Sequence, residues 1–394
     1  MHRSLMVFGT RPEIIKLGPV YRAMRARQRA HVEVFWTGQH VDLADGLIDL
    51  FEIDVSFSAT DVMDQKSLSE KAGRILERLG EILRTRSYDS IVVQGDTLSA
   101  MAGAIAGFLH RVPVAHVEAG LRTHNLEAPW PEEFSRRVIA IATTWHFPPT
   151  RAAYDNLVRE GVSRNQIVTT GNTVVDALEY VRHRLAEGHE LHNTSLATLP
   201  LNKKLILVTG HRRENFGEPM ARVLEALRLL AEDGDKVLVF PVHPNPAVRA
   251  AVAQHLGSNA NIHLVDPLRY TDFVYLLARA WTVVTDSGGI QKEAPSFGIP
   301  VVITREVTER PEVVDAGFGH LVGTDTDLIV NTVRNLTAGS HPTRINAMSP
   351  FGDGHAAQRI ARLLLDDDAA ERLLRRTAEV ISDGTTLRAD PPPV

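Results

Sequence analysis

Short apolar runs rich in Val, Ile and Leu alternate with longer amphipathic stretches along almost the whole chain. In the first half, residues 5–8, 32–37, 90–94, 112–117 and 145–147 read as strands, separated by helical periodicities over 14–27, 68–86 and 98–109. The second half repeats the scheme with strands at 204–208, 236–241, 262–264, 282–285, 300–303 and 321–322. Near-continuous apolar strands joined by helical crossovers predict parallel sheets covered on both faces. Two such series predict an α/β chain of two Rossmann-like domains, 1–172 and 173–352. The polar stretch 184–203 reads as a connection, and the tail 382–394, ending Asp-Pro-Pro-Pro-Val, is expected to be mobile.

Composition narrows the function classes. At 394 residues, with 44% hydrophobic and 23% charged positions, the chain is an ordinary globular one with room for two cores. A net charge of −5 supplies no global field for nucleic acid or an anionic membrane. The absence of cysteine excludes disulfides, a thiolate nucleophile and thiolate-held metals. The first apolar run is too short for a signal peptide, and no apolar window approaches the ~18 residues of a membrane span. A cytoplasmic protein is expected. Only 7 of the 43 basic residues are Lys, a bias that points to a GC-rich bacterial genome.

The polar clusters share a position. In an open parallel sheet, ligands bind beyond the carboxyl ends of the strands. Gly9-Thr10-Arg11-Pro12-Glu13, Gly95-Asp96-Thr97, Glu118-Ala119-Gly120-Leu121-Arg122, Gly210-His211-Arg212-Arg213-Glu214, His243-Pro244-Asn245 and Asp286-Ser287-Gly288-Gly289 all follow predicted strands. Each alone is compatible with turn chemistry; six at equivalent places imply ligand-binding edges and a cleft between the two domains. Ser287, Gly288 and Gly289 open a helix, a geometry suited to a phosphate. The segment is neither a Walker loop nor a G-x-G-x-x-G fingerprint. Arg11, Lys16 and Arg310 are further diphosphate candidates, with surface ion pairing as the alternative. Asp96, Glu118 and Glu132 should converge on one rim, where mutual repulsion is expected to raise at least one pKa toward neutrality for acid–base work. Helix capping is the competing role. His211 and Glu214, beside two arginines, make a poor metal ligand set.

At these residues the sequence resembles the non-hydrolysing UDP-N-acetylglucosamine 2-epimerases. The matching segments are FGTRPEIIKLGP (8–19), TGQH (37–40), QGDT (94–97), HVEAGLRT (116–123), PWPEE (129–133), TGNTVVDAL (170–178), VTGHRREN (208–215), PVHPNP (241–246), DSGGIQKEAPSFGIPV (286–301) and TERPE (308–312). The resemblance implies a glycosyltransferase-B-like fold, with a last helix at about 353–375 returning to the first domain. It also implies a homodimer, no cofactor and no metal.

Carried over residue by residue, substrate contacts fall on Arg11, Lys16, Asp96, Glu118, His211, Phe273, Ser287, Gly288, Gly289, Glu293 and Arg310. Phe273 would lie against uracil, although an aromatic on that helix is more often core. Leu268 would offer uracil its backbone, and Glu293 would accept the ribose hydroxyls. The implied reaction interconverts UDP-N-acetylglucosamine and UDP-N-acetylmannosamine. UDP leaves C1 while a base takes the C2 proton, giving 2-acetamidoglucal; reprotonation on the other face and return of UDP complete the cycle. Asp96, Glu118 and Glu132 serve the two faces, and His211 with the cations stabilises the diphosphate.

A second, activating nucleotide-sugar site is implied at Gln39, His40, Arg74, Glu133 and His243, with Arg212 or Arg213 as substitutes for a missing guanidinium. Val41 stands where the family usually has Arg, so weakened activation is expected. Lys292 replaces a Glu, and Ser135 an Asn. The competing readings are a UDP-sugar glycosyltransferase, a hydrolysing epimerase, and a non-catalytic nucleotide-sugar sensor.

Overall fold

The structure is a computed structural model that describes residues 1–38, 46–210, 212, 215–257, 259–346 and 348–365. The chain divides into two compact units, Met1–Ala177 with the chain from Gly354, and Leu178–Asp353. The first division falls inside the helix Thr173–Ala186, five residues beyond the boundary read from the sequence.

The first unit holds one parallel sheet of β1 (His2–Phe8), β2 (Ala30–Trp36), β3 (Phe57–Ser58), β4 (Ser90–Gln94), β5 (Val114–Val117) and β6 (Trp145–Phe147). Its order is β3-β2-β1-β4-β5-β6. The second unit holds β7 (Lys204–Thr209), β8 (Lys236–Pro241), β9 (Ile262–Val265), β10 (Thr282–Thr285), β11 (Val301–Ile303) and β12 (Gly319–Leu321), ordered β12-β11-β10-β7-β8-β9. The order is the same in both: the chain winds outward from the first strand of each sheet, then reverses at the fourth. The reversal between β1 and β4, and between β7 and β10, is where a doubly wound sheet opens a crevice. Every strand read from the sequence is present, with ends shifted by up to three residues. Only β3 was missed, because two residues are too few to show a period.

Local chemistry explains the element ends. Thr97 and Thr150 accept the backbone N–H of Ala100 and Ala153 at the starts of the helices Leu98–Leu109 and Arg151–Arg159. Ser67 and Glu70 form a reciprocal cap for Leu68–Thr85. The strands are apolar on both faces: Leu5, Met6, Val7, Ile91, Val92 and Val93 are fully buried.

The last described helix, Ala356–Leu365, belongs to the first unit and packs on Arg11–Arg25. Buried Asp176 accepts the N–H groups of Ala356 (3.2 Å) and Ala357 (2.8 Å) at its N-terminus. The expected helix end beyond 365, and the tail, lie outside the described residues.

Within the first core, His116 on β5 and His146 on β6 sit side by side in register, each 1% exposed. The Nε2 of His116 donates to the Gly95 carbonyl at 2.7 Å, since a carbonyl only accepts. Burial pushes His116 down to about 4 and His146 down to about 3.

Two outcomes are expected. Asp176→Ala should lower unfolding free energy by about 1–2 kcal/mol in urea titration, the loss expected for a helix cap. The histidines act through pH. The unfolded chain protonates them near pH 6.5 and the folded chain only near 4 or below. Between those values the unfolded state binds more protons, so stability is present above pH 6.5 and drains away as pH falls. His116 alone accounts for about 3 kcal/mol across that window. Urea midpoints measured from pH 7.5 to 5.0 should fall for the native chain and fall less steeply for His116→Gln, whose amide can still donate to Gly95.

Candidate active site

In the first unit, the loops leaving β1 and β4 meet at the reversal of strand order. Thr10 is the N-cap of Arg11–Arg25, which sets Arg11 at the first helical position. Glu13, fully buried, turns back over this loop. Its Oε2 accepts from the N–H of Gly9 (3.0 Å) and Thr10 (2.9 Å) and from the Thr10 hydroxyl (2.8 Å). Its Oε1 accepts from the Thr97 hydroxyl, across the crevice, at 2.6 Å. Burial raises Glu13 to about 7, with the four donors pulling the other way.

Asp96, between Gly95 and Thr97, is held by Arg136, whose Nε and Nη2 lie 2.8 and 2.6 Å from its Oδ2. Glu118 ends β5 with φ +62°, a left-handed backbone unusual for a residue with a side chain. The surroundings enforce it. Lys16 pairs with its Oε2, Gln94 donates to the same oxygen at 2.6 Å, and Asn172 donates to Oε1 at 2.8 Å. Gly120, two residues on, has φ +82°, and a Cβ there would stand 2.2 Å from the Ala153 carbonyl oxygen. Arg122 grips Glu160 through Nε (2.8 Å) and Nη2 (2.7 Å), tying this loop to the end of the helix Arg151–Arg159.

Glu132 opens the helix Glu132–Ala142. Its Oε2 is buried and has no hydrogen-bond partner among the described residues. Glu133 is the opposite case. It is fully buried, accepts from the N–H of Thr123 (3.0 Å) and His124 (3.2 Å), and pairs with Arg136. Burial works to raise its pKa, but the Thr123 N–H and the Arg136 guanidinium outweigh it and hold the carboxyl below its usual range. Ser135 donates to the Pro131 carbonyl at 3.2 Å, so the family's Asn is replaced by a locally satisfied hydroxyl.

Asp96 and Glu118 each carry a cationic partner. Glu13, whose pKa burial raises, is an acid outside the candidate set.

The second unit places its candidates at the ends of β7 to β11. Asp286, 1% exposed, accepts from the Arg212 N–H at 2.9 Å and the Asn215 amide at 3.2 Å, binding the loop after β7 to the loop after β10. Ser287 is the N-cap of the helix Gly288–Glu293. A Cβ on Gly288 would lie 3.9 Å from Arg212 Nη2, so the guanidinium stands beside that glycine, a place the sequence reading did not give it. Arg310 caps the helix Pro311–Asp315, with Nε buried and unpartnered among the described residues. Glu293 is the last residue of Gly288–Glu293, next to Lys292. Leu268 and Phe273 are 8% and 9% exposed. Phe273 is thus largely buried.

Among the other candidates, Arg74 bonds Asp61 (2.7 Å) and Glu77 (2.6 Å), and His243 is exposed in the loop after β8. His211, Arg213, Glu214, Gln39, His40 and Val41 lie outside the described residues. Among the described residues, no group of three His, Asp or Glu is arranged to hold a metal ion. No described helix is long and apolar enough to cross a membrane. Sequence reasoning missed Glu13, Gln94, Arg136 and Asn172 as holders of the site. The segments RPE, QGDT and TGNT that hold Glu13, Gln94 and Asn172 were visible, but which side chain meets which is set by strand order.

Comparison with known proteins agrees with this geometry. A family model described as UDP-N-acetylglucosamine 2-epimerase matches residues 22–365. The chain is 45% identical to the UDP-N-acetylglucosamine 2-epimerase of Yersinia pestis over 370 residues, covering 92% of this chain and 98% of that one. It is 43% identical to the enzyme of the same name from Escherichia coli K12 over 368 residues, with 92% and 98% covered. The crystal structure of the Neisseria meningitidis UDP-GlcNAc 2-epimerase bound to UDP-GlcNAc is similar, with a TM-score of 0.80 at 37% identity over 92% of this chain and 99% of that one. With a family model matched over most of its length and relatives above 40% identity over 92% of it, the chain belongs to the UDP-N-acetylglucosamine 2-epimerase family.

Proposed function

We propose that this protein interconverts UDP-N-acetylglucosamine and UDP-N-acetylmannosamine in the cytoplasm, without cofactor, by eliminating and re-adding UDP. The observation that carries the proposal is the contrast among the acids of the first unit. Asp96 and Glu118 are held by cations and amides, while the Glu132 Oε2 has no partner among the described residues. A proton at C2 has no adjacent carbonyl to acidify it. Departure of UDP must build oxocarbenium character at C1 as a carboxylate takes the C2 proton. Two faces of C2 need acid–base groups, and Asp96, Glu118 and Glu132 supply them. Arg11, Lys16, Ser287, Gly288, Gly289, Arg212 and Arg310 receive the diphosphate, where preorganised donors stabilise the leaving charge. His211 assists the same departure. Glu293 takes the ribose hydroxyls, and Leu268 and Phe273 border the uracil.

We also propose a homodimer. Phe108 (64%), Leu109 (70%), Phe134 (51%) and Ile141 (83%) are exposed on the neighbouring helices Leu98–Leu109 and Glu132–Ala142, an apolar surface that a second copy would cover.

In heavy water the enzyme should place deuterium at C2 of both nucleotide sugars. A glycosyltransferase leaves C2 untouched, and a hydrolysing epimerase releases UDP and free N-acetylmannosamine. Asp96→Asn, Glu118→Gln and Glu132→Gln should each lower kcat by roughly 10²–10⁴. A variant that keeps its turnover is thereby removed from the catalytic set. Light scattering should report twice the chain mass, and Ile141→Asp should shift it toward one chain.

A further inference from the structure

Glu13 is a buried acid with no task in the reaction outlined above. Glu13 has no exposed surface, and both its oxygens are engaged. A helix cap on the surface needs a single acceptor; this one collects three donors from its own loop and a fourth from the loop after β4. The fourth donor, Thr97, also accepts the Ala100 N–H at 3.0 Å and so begins the helix Leu98–Leu109. Thr97 adjoins Asp96, and Thr10 adjoins Arg11. The carboxylate therefore bridges the loop that carries a diphosphate candidate and the loop that carries an acid–base candidate.

We infer that Glu13 is a positioning residue that sets Asp96 against Arg11, through the Thr97 hydroxyl, for the chemical step. The inference rests on the reading of Asp96 as a catalytic group. The wiring has a direction. Thr97 gives its one hydroxyl proton to Glu13 and receives the Ala100 N–H, so the hydroxyl ties the Glu13 carboxylate to the start of the helix Leu98–Leu109. The remaining partners of the β4 turn agree with a need for precision. His116 holds the Gly95 carbonyl at 2.7 Å, and Arg136 holds the Asp96 carboxylate at 2.6 Å. Burial of Glu13 makes the link costly to leave half-made, because an unserved carboxylate oxygen in the interior has no water to turn to.

The test uses four variants of the full-length enzyme, with kcat, KM for UDP-N-acetylglucosamine, the rate of solvent deuterium entry at C2, and Tm. In Glu13→Gln the amide oxygen can still serve Gly9 and Thr10, but an NH₂ group faces Thr97, whose own hydroxyl proton then has lost its acceptor. Thr97→Val removes the hydroxyl with little change of shape, and Thr97→Ser restores it. The expected result is a fall of kcat and of deuterium entry by roughly 10- to 100-fold for Glu13→Gln and for Thr97→Val, the scale of a displacement near 1 Å. KM should stay within about threefold, because Arg11 keeps its own loop contacts. Thr97→Ser should recover turnover, and the double variant Glu13→Gln/Thr97→Val should lose no more than the worse single one. Losses that multiply in the double variant, or a lowered Tm with normal turnover, would overturn the inference. Should Glu13→Gln fail to fold, the contrast between Thr97→Val and Thr97→Ser decides it. Asp96→Asn separates the two levels. If it keeps full turnover, the catalytic reading of Asp96 fails; if it is impaired while the Glu13 and Thr97 variants are not, only the positioning role fails.

Discussion

A buried carboxylate sits where the strand order reverses in each sheet, and the rest of the site depends on it. Loops on either side of such a reversal leave in opposite directions, so their backbone N–H groups lose the partners that a continuing ladder would provide. Glu13 collects those donors between β1 and β4, and Asp286 collects them between β7 and β10. The two acids come from different places in their loops, one from the following helix and one from the strand end. Both are almost wholly excluded from water. An acid so placed tolerates few arrangements of its neighbours, because each missing donor leaves a desolvated oxygen unpaired. Loops that would otherwise sample many conformations are confined to one.

The same constraint organises the charges of the first unit. Five acids lie among or next to the loops after β1, β4 and β5, yet four of them are provided for in different ways. Glu13 is served by hydroxyls and amides, Asp96 by Arg136, Glu118 by Lys16 with two side-chain amides, and Glu133 by two backbone N–H groups with Arg136. Arg136 joins Asp96 and Glu133 into one network. The left-handed backbone at Glu118 fits this pattern, since its strain is held in place by contacts on both carboxylate oxygens. Glu132, whose Oε2 lacks such a contact among the described residues, stands out against this background.

In the second unit the cations take the corresponding part. The Asp286 carboxylate fixes the Arg212 backbone, which leaves the guanidinium beside Gly288. Arg310, with an unpartnered Nε, begins the helix after β11. Donors gathered at strand ends, with small residues between them, suit a polyanionic group better than any apolar ligand.

Fold class was legible in the sequence because each strand carries its own signal: an apolar run buried on both faces, bounded by a helix of regular period. The element ends were less clear: the first helix, read from 14, begins at Arg11 behind Thr10, and Arg151–Arg159, begun by Thr150, was not read at all. The residues expected at the site could be named because a turn that follows a buried strand must lie at one edge of a parallel sheet. The pairings could not. Glu13 reads as a capping residue three positions after Thr10, and nothing local distinguishes it from Glu70 after Ser67, which is exposed and ties only its own turn. Its link to Thr97 spans 84 residues of sequence and exists because β4, rather than β2, lies on the open side of β1. The histidine pair, the Asn172 contact to Glu118 and the place of Arg212 beside Gly288 have the same origin. Sequence determined which groups reach the strand ends. Tertiary structure decided which of them meet, and through burial which of them are bound into the interior.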